Sequence, residues 1–129
     1  MKKPAKIDTE DVREKCEQAF WFTAGLAIAA SLCLLSEYSD CELFILSGRD
    51  SVCREKTEIW LDRHLRLEHT LLMRPMKDTR DDAIVKSEMF DMHIDNQYDV
   101  QFVVDDRQKV VDTWREKGLT VFQVADGRF

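Results

Sequence analysis

The fold is decided by the segment QFVVDDRQKVVDTWREKGLTVFQV, residues 101–124. Its apolar start, residues 101–104, predicts a buried strand that ends directly at two aspartates. Residues 110–117 have helical spacing and are followed by Gly118, a typical helix stop. Residues 119–124 predict a second strand. A strand, a helix and a strand in succession predict a parallel β–α–β unit.

The same alternation continues upstream of this unit. Residues 43–46 and 70–73 are short apolar runs that predict strands, whereas residues 51–67 and 82–92 have helical spacing. Polar residues follow the predicted strands, as in open α/β sheets whose ligands bind beyond the carboxyl ends of the strands. We therefore predict an α/β fold, a parallel sheet with flanking helices, over residues 41–129.

The N-terminal third does not follow this pattern. Residues 19–35 read AFWFTAGLAIAASLCLL and contain no charge. A membrane span usually needs about 20 apolar residues, and the acidic residues between 8 and 17 argue against a signal peptide. A mostly buried helix fits better. We expect residues 1–40 to form a helical segment attached to the core of residues 41–129, within a single domain.

The composition indicates which kinds of binding partner and which cellular compartment suit this chain. The chain has 129 residues, 19 lysines and arginines and a formal charge of −6. This net negative charge does not indicate a broad surface that binds nucleic acid or an anionic membrane. A local basic site remains compatible with this charge. The four cysteines are irregularly spaced and contain no C-x-x-C pair. This favours reduced thiols in the cytoplasm over a zinc site or a disulfide framework.

Residues with phosphate-binding chemistry lie near the predicted strand ends. Ser47 and Gly48 could bind a phosphate oxygen through a hydroxyl and a backbone N–H, with Arg49 offsetting its charge. Lys86 on the following helix could contribute a point charge. Taken singly, Ser-Gly is more often a turn, and a lysine on an amphipathic helix is more often solvated.

The paired carboxylates of Asp105 and Asp106 could hold a hard cation such as Mg²⁺. By itself, an aspartate pair after a strand is more often a helix cap. A cation site and basic side chains at successive strand ends together supply the charge that phosphoryl transfer requires.

Three stretches resemble one family: FILSGRDS, LLMRPMKDTRDDAIVKSEMF and VQFVVDDRQKVVDTWREKGLTVFQVADGRF. They are similar to the phosphatase half of phage-type polynucleotide 5′-kinase/3′-phosphatases, a branch of the haloacid-dehalogenase (HAD) superfamily. The resemblance covers about ninety residues. It implies a HAD-like, Rossmann-type fold and Mg²⁺-dependent removal of the 3′-phosphate from nucleic-acid ends through an aspartyl-phosphate intermediate.

The resemblance also assigns roles to individual residues. Lys86 would bridge the nucleophile and the phosphate, supported by Asp82, and these two are the catalytic residues that we expect in this chain. Asp106 would complete the Mg²⁺ site with Asp105 beside it. The residues expected at the substrate phosphate are Ser47, Gly48, Arg49 and Arg74.

The family's nucleophile motif, D-x-D-G-T after an apolar strand, does not occur in the 129 residues. Its first aspartate attacks phosphorus, and its second acts as general acid and base. The acidic cluster at residues 8–11 follows no apolar strand, so a helix cap explains it better. We therefore expect the chain to be truncated, or inactive on its own.

In the HAD fold, the nucleophile strand lies between the strand that ends at Ser47 and the one that ends at Asp105. Without it, each of these two strands has an unpaired edge. Three outcomes follow: the two strands pair with each other, a second copy or a partner chain supplies the missing strand, or the fold is poorly stable.

Three functional hypotheses remain open. The first is a Mg²⁺-dependent phosphatase of nucleic-acid 3′ ends. The alternative is a non-catalytic phosphate-binding or interaction module that retains the fold. The third and least favoured is a membrane-anchored protein that uses residues 19–35 as its span.

Overall fold

The computed structural model describes residues 41–65 and 68–128. Strands and helices alternate along them, which confirms the predicted α/β class. In chain order the elements are β1 (Phe44–Asp50), α1 (Arg54–His64), β2 (Thr70–Arg74), α2 (Asp82–His93), β3 (Val103–Asp105), α3 (Gln108–Glu116) and β4 (Val121–Gln123).

The strands pair in parallel, as the β–α–β pattern predicts. β1 pairs with β2, and β3 pairs with β4. Within the described ranges these are two separate two-stranded sheets. Pairing of β1 with β3 across the predicted gap is therefore not observed in this part of the chain.

The end of β1 differs from the prediction of a polar loop at residues 47–49. β1 continues through these residues to Asp50. Its register against β2 shifts there, because Ser47 pairs with Met73 whereas Asp50 pairs with Arg74, the next residue of β2. Such a bulge keeps polar residues within a strand and redirects their side chains, so hydrophobicity alone does not mark the strand end.

Helices cover both faces of the β1–β2 sheet. Ile45 packs toward the cluster on the α1 side, whereas Phe44 and Leu46 pack toward the cluster beneath α2 and α3. Burial on both faces explains why this strand is apolar at successive positions. The buried residues on the α1 side are Cys53, Leu61, Leu65, Leu71 and Met73, and those on the other side are Phe90, Ile94, Val110 and Trp114.

Local signals set the ends of α2 and α3. The Asp81 side chain accepts a hydrogen bond from the Ala83 backbone N–H (3.0 Å) and caps α2, so that Lys86 lies one turn into the helix. Gly118 follows α3 with φ of 82°, a left-handed conformation that suits glycine. The predicted helix stop at Gly118 is thus confirmed.

The cysteines follow the prediction only in part. Cys41 is a free, exposed thiol, but Cys53 is disulfide-bonded. The prediction of reduced thiols is wrong for Cys53, because spacing along the chain does not limit which cysteines the fold brings together.

The N-terminal predictions lie outside the described residues. These predictions are the helical segment over residues 1–40, the apolar helix at 19–35 and the cap at 8–11. Within residues 41–65 and 68–128, every helix is too short or too polar to cross a bilayer.

Candidate functional site

Predicted site residues from three strand ends and from the start of α2 lie together at one edge of the molecule. Asp82 is at the centre of this cluster. Its Oδ1 accepts a hydrogen bond from Arg74 Nη2 (3.4 Å), and its Oδ2 lies 3.8 Å from Lys86 Nζ and 3.5 Å from Arg107 Nη1. Its side chain is only 13% exposed. Three cations therefore surround one shielded carboxylate.

Gly48 makes this arrangement sterically feasible. A Cβ placed on Gly48 would lie 1.5 Å from Asp82 Oδ1, far inside contact distance. The Gly48 carbonyl accepts a hydrogen bond from Arg74 Nε. The structure thus brings Gly48 against Asp82 and Arg74, a close approach that only a residue without a side chain permits.

Arg74 connects the ends of β1 and β2 to the loop before α2. Besides its bonds to Gly48 and Asp82, Nη1 donates to the carbonyl oxygens of Asp78 (3.1 Å) and Arg80 (2.6 Å). Four hydrogen bonds use most of the five N–H donors of an arginine. The Arg74 side chain is 12% exposed, and its guanidinium is held in a fixed orientation beside Asp82.

Lys86 is held between two carboxylates. Its Nζ lies 3.1 Å from Asp105 Oδ2, in addition to its contact with Asp82, and its side chain is 13% exposed. Asp105 Oδ2 also accepts from Trp114 Nε1 (3.4 Å), while Oδ1 accepts from the backbone N–H groups of Asp106 (2.9 Å) and Arg107 (3.2 Å). Both oxygens of Asp105 are thus engaged by protein donors, and Asp105 orients Lys86.

Asp106 differs from its neighbour. It is only 8% exposed, and burial, followed by repulsion from Asp105, raises its pKa. No lysine or arginine in the described part of the chain forms a salt bridge with it. Its carboxylate oxygens are ligands of the kind that hard cations prefer, and a bound cation would favour the charged form that burial disfavours.

Further cation ligands are not grouped around Asp106. Among residues 41–65 and 68–128, no three histidine, cysteine, aspartate or glutamate side chains cluster to hold a metal. Asp106 could therefore supply only part of a Mg²⁺ site, and the remaining oxygens would have to come from water, substrate or another segment.

Ser47 and Arg49 flank Gly48 in the bulged end of β1. The Ser47 hydroxyl accepts a hydrogen bond from the Arg49 backbone N–H (3.3 Å), which leaves the hydroxyl proton able to donate. Burial lowers the pKa of the Arg49 guanidinium. Both side chains are half-buried. They are thus carried by the same strand end that brings Gly48 to Asp82.

A mainly apolar cavity of about 420 Å³ lies between β1 and β3. Phe44 and Leu46 line it from β1, and Val103 and Val104 line it from β3. It reaches Asp105, which belongs to the cation cluster. The cavity thus borders both the strand that carries Ser47 and the strand that ends at Asp105.

Sequence reasoning missed the contacts that Trp114 and Gly127 make at the site. Trp114 matches the apolar face of α3, and nothing in its spacing signals the hydrogen bond to Asp105. Gly127 lies against the backbone of Asp106 and Arg107. An isolated glycine near the end of a sequence carries no signal of such a contact. Only the fold joins these residues to the site.

Comparison with known proteins identifies the family. The model of the polynucleotide kinase PNKP phosphatase domain matches residues 24–129. A putative bifunctional polynucleotide kinase/RNA ligase of Autographa californica nuclear polyhedrosis virus is 32% identical over 103 residues, which are 78% of this chain and 15% of that protein. The chain thus spans a small part of this relative.

Two solved structures have the same fold. One, the Pnkp1/Rnl/Hen1 RNA repair complex, contains a chain with 40% identity and a TM-score of 0.69; the match covers 75% of this chain and 32% of that one. A second structure of the Pnkp1/Rnl/Hen1 complex gives 39% identity and a TM-score of 0.71, over 78% and 35%. The chain belongs to the family of HAD-type phosphatase domains found in polynucleotide kinases.

Proposed function

We propose that this domain binds the terminal 3′-phosphate of a nucleic acid and forms the substrate and cation side of a Mg²⁺-dependent phosphatase. The observation that carries the proposal is Lys86, held between Asp82 and Asp105 at the carboxyl edge of the strands. A lysine fixed in this way can meet a phosphoryl group without reorganising, and such preorganised charge stabilises charge that develops during reaction.

Asp106 is the cation ligand in this proposal. Mg²⁺ bound there would offset the negative charge of the phosphoryl group and the repulsion between Asp105 and Asp106. Lys86 and Arg49 would neutralise the phosphoryl oxygens, and the Ser47 hydroxyl would donate a hydrogen bond to one of them. Asp82 and Arg74 would hold these groups in place.

The attacking carboxylate must come from outside the described residues. The cavity between β1 and β3 is mainly apolar and is bordered by one strand of each sheet, so an extended apolar segment fits it by strand addition. A segment that ends in D-x-D-G-T would place its first aspartate near Lys86. We propose that a polypeptide segment from outside these 129 residues completes the site in this way.

A nucleic-acid end fits the charge distribution better than a long duplex does. The chain has a net charge of −6, which opposes a broad polyanion surface. Arg74, Lys86 and Arg107 instead provide a local group of cations around Asp82. The matched relatives are named for polynucleotide kinase and RNA repair activities, which supports a nucleic-acid substrate over a small phosphoester.

A phosphate-release assay tests this function. The chain is incubated with Mg²⁺ and a 3′-phosphorylated oligonucleotide, with or without a peptide that contains an apolar strand ending in D-x-D-G-T. We expect release only with the peptide, and loss of release in Lys86→Met. Lys56→Met, at an exposed position on α1, is the matched control and should remain active.

Two further variants locate the nucleophile. If the chain releases phosphate without the peptide, and Asp8→Asn abolishes this release, then the nucleophile is Asp8. That result would contradict the requirement for an added segment. If the chain releases phosphate without the peptide, and Asp106→Asn abolishes this release but Asp8→Asn does not, then a different acid within this chain must be the nucleophile.

The second candidate function is a non-catalytic phosphate-binding or interaction module. The absence of a D-x-D-G-T motif from the sequence favours it. Under this alternative, a 3′-phosphate would still bind at Lys86, but no peptide would restore release. The assay therefore separates the two functions.

A further inference from the structure

The segment that follows β4 runs back over the loop that carries Asp106. The Val124 backbone N–H donates to the Asp105 carbonyl (3.2 Å), and the Gln108 backbone N–H donates to the Gly127 carbonyl (3.0 Å). Two backbone hydrogen bonds thus connect residues 124–127 to both sides of Asp106.

Gly127 touches this loop more closely than a side chain would allow. A Cβ placed on Gly127 would lie 1.6 Å from the Asp106 carbonyl oxygen, 2.5 Å from its carbonyl carbon and 2.7 Å from Arg107 Cα. All three are backbone atoms, so no side-chain rotation could relieve the overlap. Any larger residue at position 127 must therefore displace either the segment or the Asp106 peptide.

We propose that residues 124–127 are a positioning element for the cation site, and that Gly127 is the positioning residue that fixes the Asp106 carboxylate. This inference rests on the proposed role of Asp106 as the Mg²⁺ ligand. Mg²⁺ requires near-octahedral geometry with oxygens at about 2.0–2.1 Å. A displaced Asp106 backbone would therefore weaken cation binding.

Gly118 is the matched control position for Gly127. It also follows a secondary-structure element, and its φ of 82° makes Gly118→Ala destabilising through the backbone. A Cβ there would meet nothing within 4 Å, and Gly118 bonds to Arg115 rather than to the Asp106 loop. Gly118→Ala should lower the melting temperature but leave the Mg²⁺ affinity unchanged.

A second pair of variants tests the hydrogen bond without adding bulk. Gln108 is the first residue of α3, where proline is tolerated, and the preceding Arg107 has extended backbone angles (φ −82°, ψ 118°) that suit a residue before proline. Gln108→Pro removes the N–H that donates to Gly127. Gln108→Ala removes the side chain but keeps this N–H.

The experiment is a calorimetric titration of Mg²⁺ into the full chain and its variants, each with a parallel thermal melt. We expect an affinity about 10-fold or more weaker in Gly127→Ala, as for residues that orient metal ligands. We expect about a fivefold loss in Gln108→Pro, which corresponds to one hydrogen bond. Gly118→Ala and Gln108→Ala should bind Mg²⁺ as the wild type does.

The possible failures differ from one another. If Gly127→Ala and Gln108→Pro melt earlier but bind Mg²⁺ with wild-type affinity, residues 124–127 contribute stability only, and the positioning role is wrong. If Gly127→Ala does not fold, the Gln108 pair decides the question. If Asp106→Asn binds Mg²⁺ as tightly as the wild type, or the wild type binds none, the cation role of Asp106 fails and the inference fails with it.

Discussion

At the scale of single residues, the site depends on close contacts between groups that lie far apart in the sequence. The strand-end rule singles out Gly48 and Asp105 from the sequence alone, whereas Lys86 is assigned from the helix that follows. It does not predict that Asp82 lies against Gly48, or that Trp114 donates to Asp105. Those contacts depend on the β1 bulge and on how α3 packs, and neither has a sequence signal.

Replacement of Gly48 tests the closest of these contacts. The Cβ in Gly48→Ala would overlap only the Asp82 carboxylate, so we expect a loss of about 1–3 kcal/mol in the free energy of unfolding. Chemical denaturation measures this loss. The loss should shrink when Gly48→Ala is introduced into Asp82→Ala, because the overlapping atoms are then gone. Equal losses in the two backgrounds would show that the overlap is not the cause.

Asp106 gives a pH-dependent prediction. Burial and then Asp105 raise its pKa, so without Mg²⁺ the folded state holds this proton more tightly than the unfolded state does. Its contribution to stability is therefore full below the unfolded-state pKa and is lost as pH rises through the folded-state pKa. Asp106→Asn should melt higher than wild type at about pH 7, with a smaller difference at about pH 4. Thermal melts without Mg²⁺ check this, and a difference that grows toward low pH would contradict it.

At the scale of elements, hydrophobic spacing predicts each described helix and strand, with shifts at the ends. The Asp81 cap fixes where α2 begins, and Gly118 fixes where α3 ends. The predicted end of β1 was wrong, because the polar residues at its bulge are compatible with either a loop or a strand. The disulfide at Cys53 was also missed, since the sequence spacing carries no information on it.

Two aliphatic residues of α1 test the assignment of its buried face. Leu61 is fully buried, whereas Ile59 is 53% exposed. Leu61→Ala should lower the free energy of unfolding by about 2–5 kcal/mol, and Ile59→Ala should change it by no more than about 0.5 kcal/mol. Urea denaturation of both variants measures the difference. Similar losses would mean that α1 packs with a different face.

At the scale of the whole molecule, the described residues form two small parallel sheets with a mainly apolar cavity between them. The sequence predicts the α/β class and the family, but not how the edges of β1 and β3 are covered. Residues 1–40 lie outside the described part, and the chain spans about a third of each matched solved chain. This cavity is where we expect a completing strand to bind.

The central claim is that Lys86, held by Asp82 and Asp105, recognises a terminal 3′-phosphate. It is tested most directly by the binding of two oligonucleotides in Mg²⁺, identical except for a 3′-phosphate or a 3′-hydroxyl. We predict that the chain and its Lys56→Met variant prefer the phosphorylated end, and that Lys86→Met loses about tenfold or more of that preference, the size of a charge-assisted hydrogen bond. Equal binding of both oligonucleotides by the unsubstituted chain, or an undiminished preference in Lys86→Met, would contradict the claim.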